Sequence, residues 1–126
     1  MIVLVDSSMW IDFLRPTHSD LSDLESVIRE GRAAICPVIW LELWRGTRSK
    51  AEEAVLKEMR RLSLSLEVDH ETWTQAAGLS RVALQNGLNC PLADVLIVAC
   101  ARRHGVKLMH RDKHIEALLG LYGPPG

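Results

Sequence analysis

The chain has 126 residues, 48% of them hydrophobic and 25% charged, with a formal net charge of -1; these are the proportions of one ordinary globular domain spanning residues 1–126. No apolar run approaches the ~20 residues needed to cross a bilayer, and the start lacks the basic residues of a signal peptide. Three cysteines, Cys36, Cys90 and Cys100, form no C-x-x-C pair, which points to reduced, buried thiols in a cytoplasmic protein.

Residues 2–5 are Ile-Val-Leu-Val and stop abruptly at Asp6. So short a run, rich in β-branched side chains, suits a strand buried on both faces of a parallel sheet. Residues 9–14 read as a short helix closed by Arg15-Pro16. Ser19 or Asp20 then caps a helix with Leu21, Leu24, Val27 and Ile28 at helical spacing, ended by Gly31. Residues 33–37 read as a second buried strand whose end Pro37 marks. The helix that follows carries one acid, Glu42, among large apolar residues and breaks at Gly46. Ser49 caps a longer helix through Leu62, with Ala54, Val55, Met59 and Leu62 turned inward. Leu64, Leu66 and Val68 alternate with polar neighbours, as in an edge strand. Asp69 opens a helix that Asn86-Gly87 stops near Gln85, and residues 91–104 form an apolar helix ended by Gly105. Residues 106–109 are the last clear strand, and Asp112 to Leu119 the last helix. The tail, about residues 120–126, is expected to be loosely attached.

Strands alternate with helices, and the connections are too long for hairpins. The pattern predicts a three-layer α/β/α sandwich around a mostly parallel sheet of four or five strands. In such sheets ligands bind beyond the carboxyl ends of the strands. Four acids are expected there. Asp6 follows the first strand, Glu42 lies about a turn past Pro37, Asp94 is in the first turn of an otherwise apolar helix, and Asp112 follows the last strand. Each has a plainer reading: Asp6 or Asp112 as a helix cap, Asp94 as a partner of the helix dipole, Glu42 as a partner of Arg45 or of solvent. Converging carboxylates repel one another, and a hard cation such as Mg²⁺ or Mn²⁺ relieves that repulsion. It also supplies a water of lowered pKa able to attack a phosphodiester. Arg45, Arg48, Lys50, Arg102, Arg103, Arg111 and Lys113 are candidates for a basic rim that receives phosphates. His110 and His114 lie four residues apart, but without an H-E-x-x-H pattern they make a poor zinc pair. Trp10, Trp40, Trp44 and Trp73 read as core, with Trp10 and Trp44 as alternatives for a partner groove.

The opening V-L-V-D-S-S-M-W-I-D-F-L, the L-E-L-W-R-G segment, the P-L-A-D-V-L-I-V-A-C-A helix and the closing L-M-H-R-D-K-H-I-E resemble a PIN domain, in particular the VapC toxins of bacterial toxin–antitoxin pairs. The resemblance runs from Ile2 to about Leu119. It implies an α/β/α fold and a Mg²⁺- or Mn²⁺-dependent endoribonuclease acting on tRNA or ribosomal RNA. It also implies a homodimer, and a VapB antitoxin whose C-terminal segment occludes the pocket. Asp6 and Asp94 match the family's direct metal ligands, Glu42 and Asp112 the supporting acids, and Ser7 the small hydroxyl residue beside the first acid; Ser7, Arg45 and Arg111 are the expected substrate contacts. The last motif departs from the family: His110 stands where many members have Thr, and His114 where some have a further acid, with Glu116 as a spare acid one turn on. Two other readings stay open. A receiver-type phospho-acceptor would want adjacent acids after the first strand and a lysine after a late one, whereas Asp6 precedes Ser7-Ser8 and Lys107 falls within a strand. A catalytically silent binding module would use the same fold.

Overall fold

The structure is a computed structural model and describes residues 1–15 and 20–121. Among these, four strands and seven helices alternate: β1 (Val3–Val5), α1 (Ser7–Leu14), α2 (Ser22–Arg29), β2 (Ala33–Ile35), α3 (Pro37–Arg45), α4 (Lys50–Leu62), β3 (Leu64–Ser65), α5 (His70–Gln85), α6 (Leu92–His104), β4 (Lys107–Met109) and α7 (Lys113–Gly120). The sheet order is β3-β2-β1-β4, and every pairing is parallel. Every residue of β1 and β2 is buried, so helices cover both faces of the sheet centre. This is the predicted α/β sandwich, with four strands among the described residues.

Local chemistry sets the boundaries. The Ser49 hydroxyl accepts the Glu52 N–H at 3.1 Å, and Asp69 Oδ1 accepts the Thr72 N–H at 2.9 Å and its hydroxyl at 2.7 Å; both satisfy orphan donors of a first turn. Hydrogen bonds from Thr72 and the nearby Arg103 guanidinium hold the Asp69 carboxyl at about 2. Gly105 ends α6 at φ 64°, and the Val106 N–H bonds back to the Ala101 carbonyl at 3.0 Å. A side chain would strain that left-handed residue.

Two boundaries, at α1 and α3, and the inward face of α4 differ from expectation. Helix α1 begins at Ser7, two residues early, because both serines accept helical geometry behind Asp6. Pro37 opens α3 rather than closing β2; a fixed φ and a missing donor suit a first helical turn as well as a strand end. Asp20 Oδ1 accepts the Ser22 N–H at 2.9 Å ahead of α2, while Pro16 and Ser19, like residues 122–126 of the tail, lie outside the described residues. On α4 the buried residue is Leu56, whereas Val55 and Leu62 are 47% and 64% exposed and Ala54 is also exposed.

The core joins β1 and β2 to Trp10, Leu24, Ile39, Leu56, Leu79, Ile97, Val98, Ile115 and Leu118, all essentially inaccessible. Each such side chain contributes about 1.5–3 kcal/mol on leaving water. Cys36 and Cys100 are buried and free, while Cys90 is half-buried. Among the tryptophans Trp10 alone is fully buried; Trp73 is 55% exposed, and Trp40 and Trp44 are half-buried and stacked on each other. No described helix is long and apolar enough to cross a membrane.

Candidate active site

The carboxyl edge of the sheet gathers acids from four separate elements. Asp6 leaves the end of β1 at the N-cap position of α1 but bonds no backbone N–H of that helix. Its Oδ2 instead accepts the Ser8 hydroxyl at 2.8 Å. Its backbone N–H bonds to the Met109 carbonyl of β4 at 2.9 Å, tying the first acid to the strand that leads to the last. The capping reading therefore does not account for the carboxylate, which is buried and 4% exposed.

Glu42 faces the same edge from α3. Ser7 Oγ donates to its Oε1 at 3.1 Å, and among the described residues no hydrogen bond or ion pair links it to Arg45. Burial raises the Glu42 pKa, and the charges of Asp6 and Asp112 push it the same way; the Ser7 hydrogen bond opposes them.

Asp94 lies in the first turn of α6, and that helix is buried almost throughout. Its pKa is pushed up to about 6, first by burial, then by Asp112, Asp6 and Glu42, with His114 opposing. Asp94 thus feels the other three carboxylates, and Glu42 feels Asp6 and Asp112. No hydrogen-bond donor among the described residues reaches the Asp94 carboxylate; the His114 imidazole Nδ1 stands 3.9 Å away. A buried carboxylate in that condition calls for a cation or a proton. Asp112 has two duties. Its Oδ1 caps α7 by accepting the His114 and Ile115 N–H groups at 2.7 and 3.1 Å. It also joins Asp94 and His114 in a cluster whose ligand atoms, one from each residue, lie within 4.8 Å of one another. That spacing, and donors of carboxylate and imidazole type, fit one divalent ion.

Residues 3–119 match the PIN domain. The chain belongs to the PIN-domain family. VapC ribonuclease Mb1587 of Mycobacterium bovis is 30% identical over 122 residues, covering 93% of this chain and 91% of that protein. Among solved structures, VapBC2 from Rickettsia felis, bound to a DNA fragment from its promoter, superposes with TM-score 0.76 at 15% identity over 93% of this chain and 92% of the other. VapBC-5 from Mycobacterium tuberculosis, a member of the VapBC family of toxin-antitoxin systems, gives 0.66 at 20% identity over 95% and 93%. At those identities the two structures attest the fold.

The remaining site candidates of this PIN domain separate into engaged and free groups. The Ser7 hydroxyl is spent on Glu42. Arg111 is held by Asp12 Oδ2 at 3.2 Å and the Asp20 carbonyl, so it braces α1 instead of standing open to a phosphate. Arg45 is exposed at the end of α3. His110 does not converge with His114: its Nδ1 accepts the Asp112 N–H at 3.3 Å, and its Nε2 meets Glu116 at 3.1 Å. With Nδ1 accepting, the proton belongs on Nε2, and Glu116 serves as a strut for the β4–α7 turn. Two residues near the acids were not among the expected ligands. Ser8 bonds Asp6, and nothing in its position distinguished it from Ser7. His114 reads in the sequence as half of a poor zinc pair with His110 and as a departure from the family motif; its place two residues past a helix-capping acid was the better pointer.

Proposed function

We propose that this PIN domain is the toxin of a toxin–antitoxin pair, an endoribonuclease working in the cytoplasm with Mg²⁺ or Mn²⁺. In this reading Asp6 and Asp94 ligate the ion, and Glu42 and Asp112 support it directly or through water. The observation that carries the proposal is the convergence of these carboxylates at one sheet edge, with Asp94 buried and lacking a donor among the described residues. The ribonuclease naming of a relative that aligns over 93% of the chain supplies the substrate class. The chemistry such an ion brings is neutralisation of phosphate charge and a water acidic enough to attack phosphorus at neutral pH. The chain's own work is positional. Ser7 fixes Glu42, Ser8 fixes Asp6, and the α7 cap fixes Asp112 while leaving its second oxygen uncommitted.

The proposed inhibitor is a VapB-type antitoxin whose C-terminal segment occludes the acids. A groove of about 460 Å³ walled by Trp10 and Phe13 of α1 and by Val55, Met59 and Leu62 of α4 offers apolar anchorage for it. Trp10 backs this groove from the core, at 1% exposure, and Trp44 does not line it. A homodimer belongs to the same reading, with the exposed Leu41 and Leu92 as apolar surface for a second copy to cover. The receiver-type reading gains no support: Lys107 lies inside β4, and Asp6 has serines for neighbours.

The test is cleavage of purified tRNA and ribosomal RNA by antitoxin-free protein, with 5′ ends mapped. Cleavage should require Mg²⁺ or Mn²⁺ and vanish in Asp6→Asn and Asp94→Asn. Activity that survives a chelator, or survives either substitution, rejects the metal-dependent reading.

A further inference from the structure

We propose that a hollow beside the acidic cup, between the carboxyl ends of β2 and β3, receives a base of single-stranded RNA while Arg60 and Lys57 hold the adjoining phosphates. The inference rests on the ribonuclease reading and adds to it a substrate-binding surface. The hollow has a volume of about 260 Å³ and is lined by Ile35, Cys36, Trp40, Arg60, Leu66 and Glu67, among others.

Two helices build its cationic wall. Trp40 and Trp44, one turn apart on α3, are stacked with centroids 5.3 Å apart and planes 26° from parallel. The Arg60 guanidinium lies 4.0 Å from the Trp40 ring centroid, and Lys57 Nζ lies 5.5 Å from that of Trp44. The pairing 40 with 60 and 44 with 57 makes α3 and α4 antiparallel here, so cations and indoles match rung for rung. A guanidinium held over an indole face leaves N–H groups for other partners and gives up less freedom on binding.

What marks these two cations is the indole beneath each; like Arg45, Arg81 and Lys113 among the described residues, they also meet no anion. Arg15, Arg32, Lys50, Arg61, Arg103 and Arg111 all meet a carboxylate within 4.0 Å. Among the described residues Arg60 and Lys57 meet none. Arg61, next in sequence, is committed to Glu58. Unneutralised cations on an aromatic shelf are the combination that binds single strands without sequence readout: charge for the backbone, ring faces and apolar walls for the bases.

The place is also right. Leu4 pairs with Ala34, and Ala34 with Leu64. Two residues further on, Asp6, Cys36 and Leu66 leave adjacent strands at the same edge, and neighbouring strands lie about 4.8 Å apart. The hollow is therefore one to two strand spacings from the first acid, within reach of the nucleotide next to the cleaved bond. The cup itself repels phosphates, so the cations that bring the strand in must stand on its flank. The exposed Glu67 carboxylate keeps a phosphate out of the hollow proper, which leaves it to a base.

The experiment is fluorescence anisotropy with a short, labelled 2′-O-methyl oligoribonucleotide, which resists cleavage, in chelator and across a salt series. Arg60→Ala and Lys57→Ala should each weaken binding about tenfold and lower the salt slope by about one. Arg60→Lys should restore the slope but only part of the affinity. Trp40→Phe keeps an aromatic shelf and should bind within a few-fold of the parent. Arg81→Ala, a cation on α5, should bind as the parent does. In cleavage assays Arg60→Ala should raise KM and leave kcat at saturating RNA nearly unchanged. Equal binding by Arg60→Ala and the parent overturns the proposal. So does an equal loss in Arg81→Ala, or a change of oligomeric state in Arg60→Ala, which would make this face a protein interface. The two readings fail separately. Oligonucleotide binding that depends on Arg60 in a protein unable to cut RNA sinks the nuclease reading alone, and cutting with a KM indifferent to Arg60 sinks this one alone.

Discussion

Replacing Asp94 by Asn should stabilise the metal-free protein. The carboxyl titrates at about 6 instead of its ordinary 3.8, chiefly through burial and then through Asp112, Asp6 and Glu42. At ~1.36 kcal/mol per pH unit that displacement corresponds to about 3 kcal/mol against the charged form. The group retains partial access to solvent, which screens the penalty to about 1–2 kcal/mol. Because the folded pKa lies above the unfolded one, the folded chain keeps its proton longer. Stability should therefore fall as pH rises from about 3.8 to about 6 and stay flat above that. Asparagine carries no charge and escapes the loss. In chelator at pH 7.5 the variant should melt about 3–8 °C above the parent, with the gap closing near pH 4. Adding millimolar Mg²⁺ should reverse the order, since the parent gains a ligand that the variant cannot hold. Thermal melts at both pH values, with and without Mg²⁺, read all of this. A variant that melts at or below the parent at pH 7.5 in chelator would show that Asp94 is a satisfied structural acid, and the cation argument would go with it.

Saturating Mg²⁺ or Mn²⁺ at about a hundred times its Kd should add about 2.7 kcal/mol to the parent; an unchanged melting temperature counts against the cup. Ser7→Ala removes the donor to ionised Glu42, so denaturant titration should show a loss of about 1 kcal/mol at pH 8 and less at pH 4, where Glu42 is largely protonated. Equal losses at both values refute that role. Leu56→Ala should cost about 2–5 kcal/mol, as core truncations do, while Val55→Ala, one residue away, should cost under about 1. Val55→Asp should abolish antitoxin capture with little change in melting temperature; retained capture would place the antitoxin elsewhere.

The sheet was legible because short apolar runs, β-branched in β1, alternate with helical periodicity, and period and order survive in the letters. The convergence of the acids was legible for the same reason: once the strands are parallel, Asp6 and Asp112 must leave at one edge. The orientation of α4 was not. Its apolar stripe Val55, Met59 and Leu62 is genuine, but periodicity reports that a face is apolar and not what covers it; here it lines an open groove, and Leu56 enters the core. The hydroxyl assignments were equally hidden. Ser7 and Ser8 are adjacent and alike, yet one turn of helix sends them to different carboxylates. The commitment of Arg111 to Asp12 joins residues far apart in the chain, and no local pattern announces such a pairing.

The dispersal of the acids along the chain has a consequence for synthesis. Asp6 emerges among the first residues, but Asp112 and its cap on α7 come only after β4. A nascent or truncated polypeptide ending before residue 112 has an unfinished centre, however well its earlier parts have folded. The four acids therefore share one edge only once translation has passed the last of them, and a chain cut short before that point lacks the α7 cap that holds it.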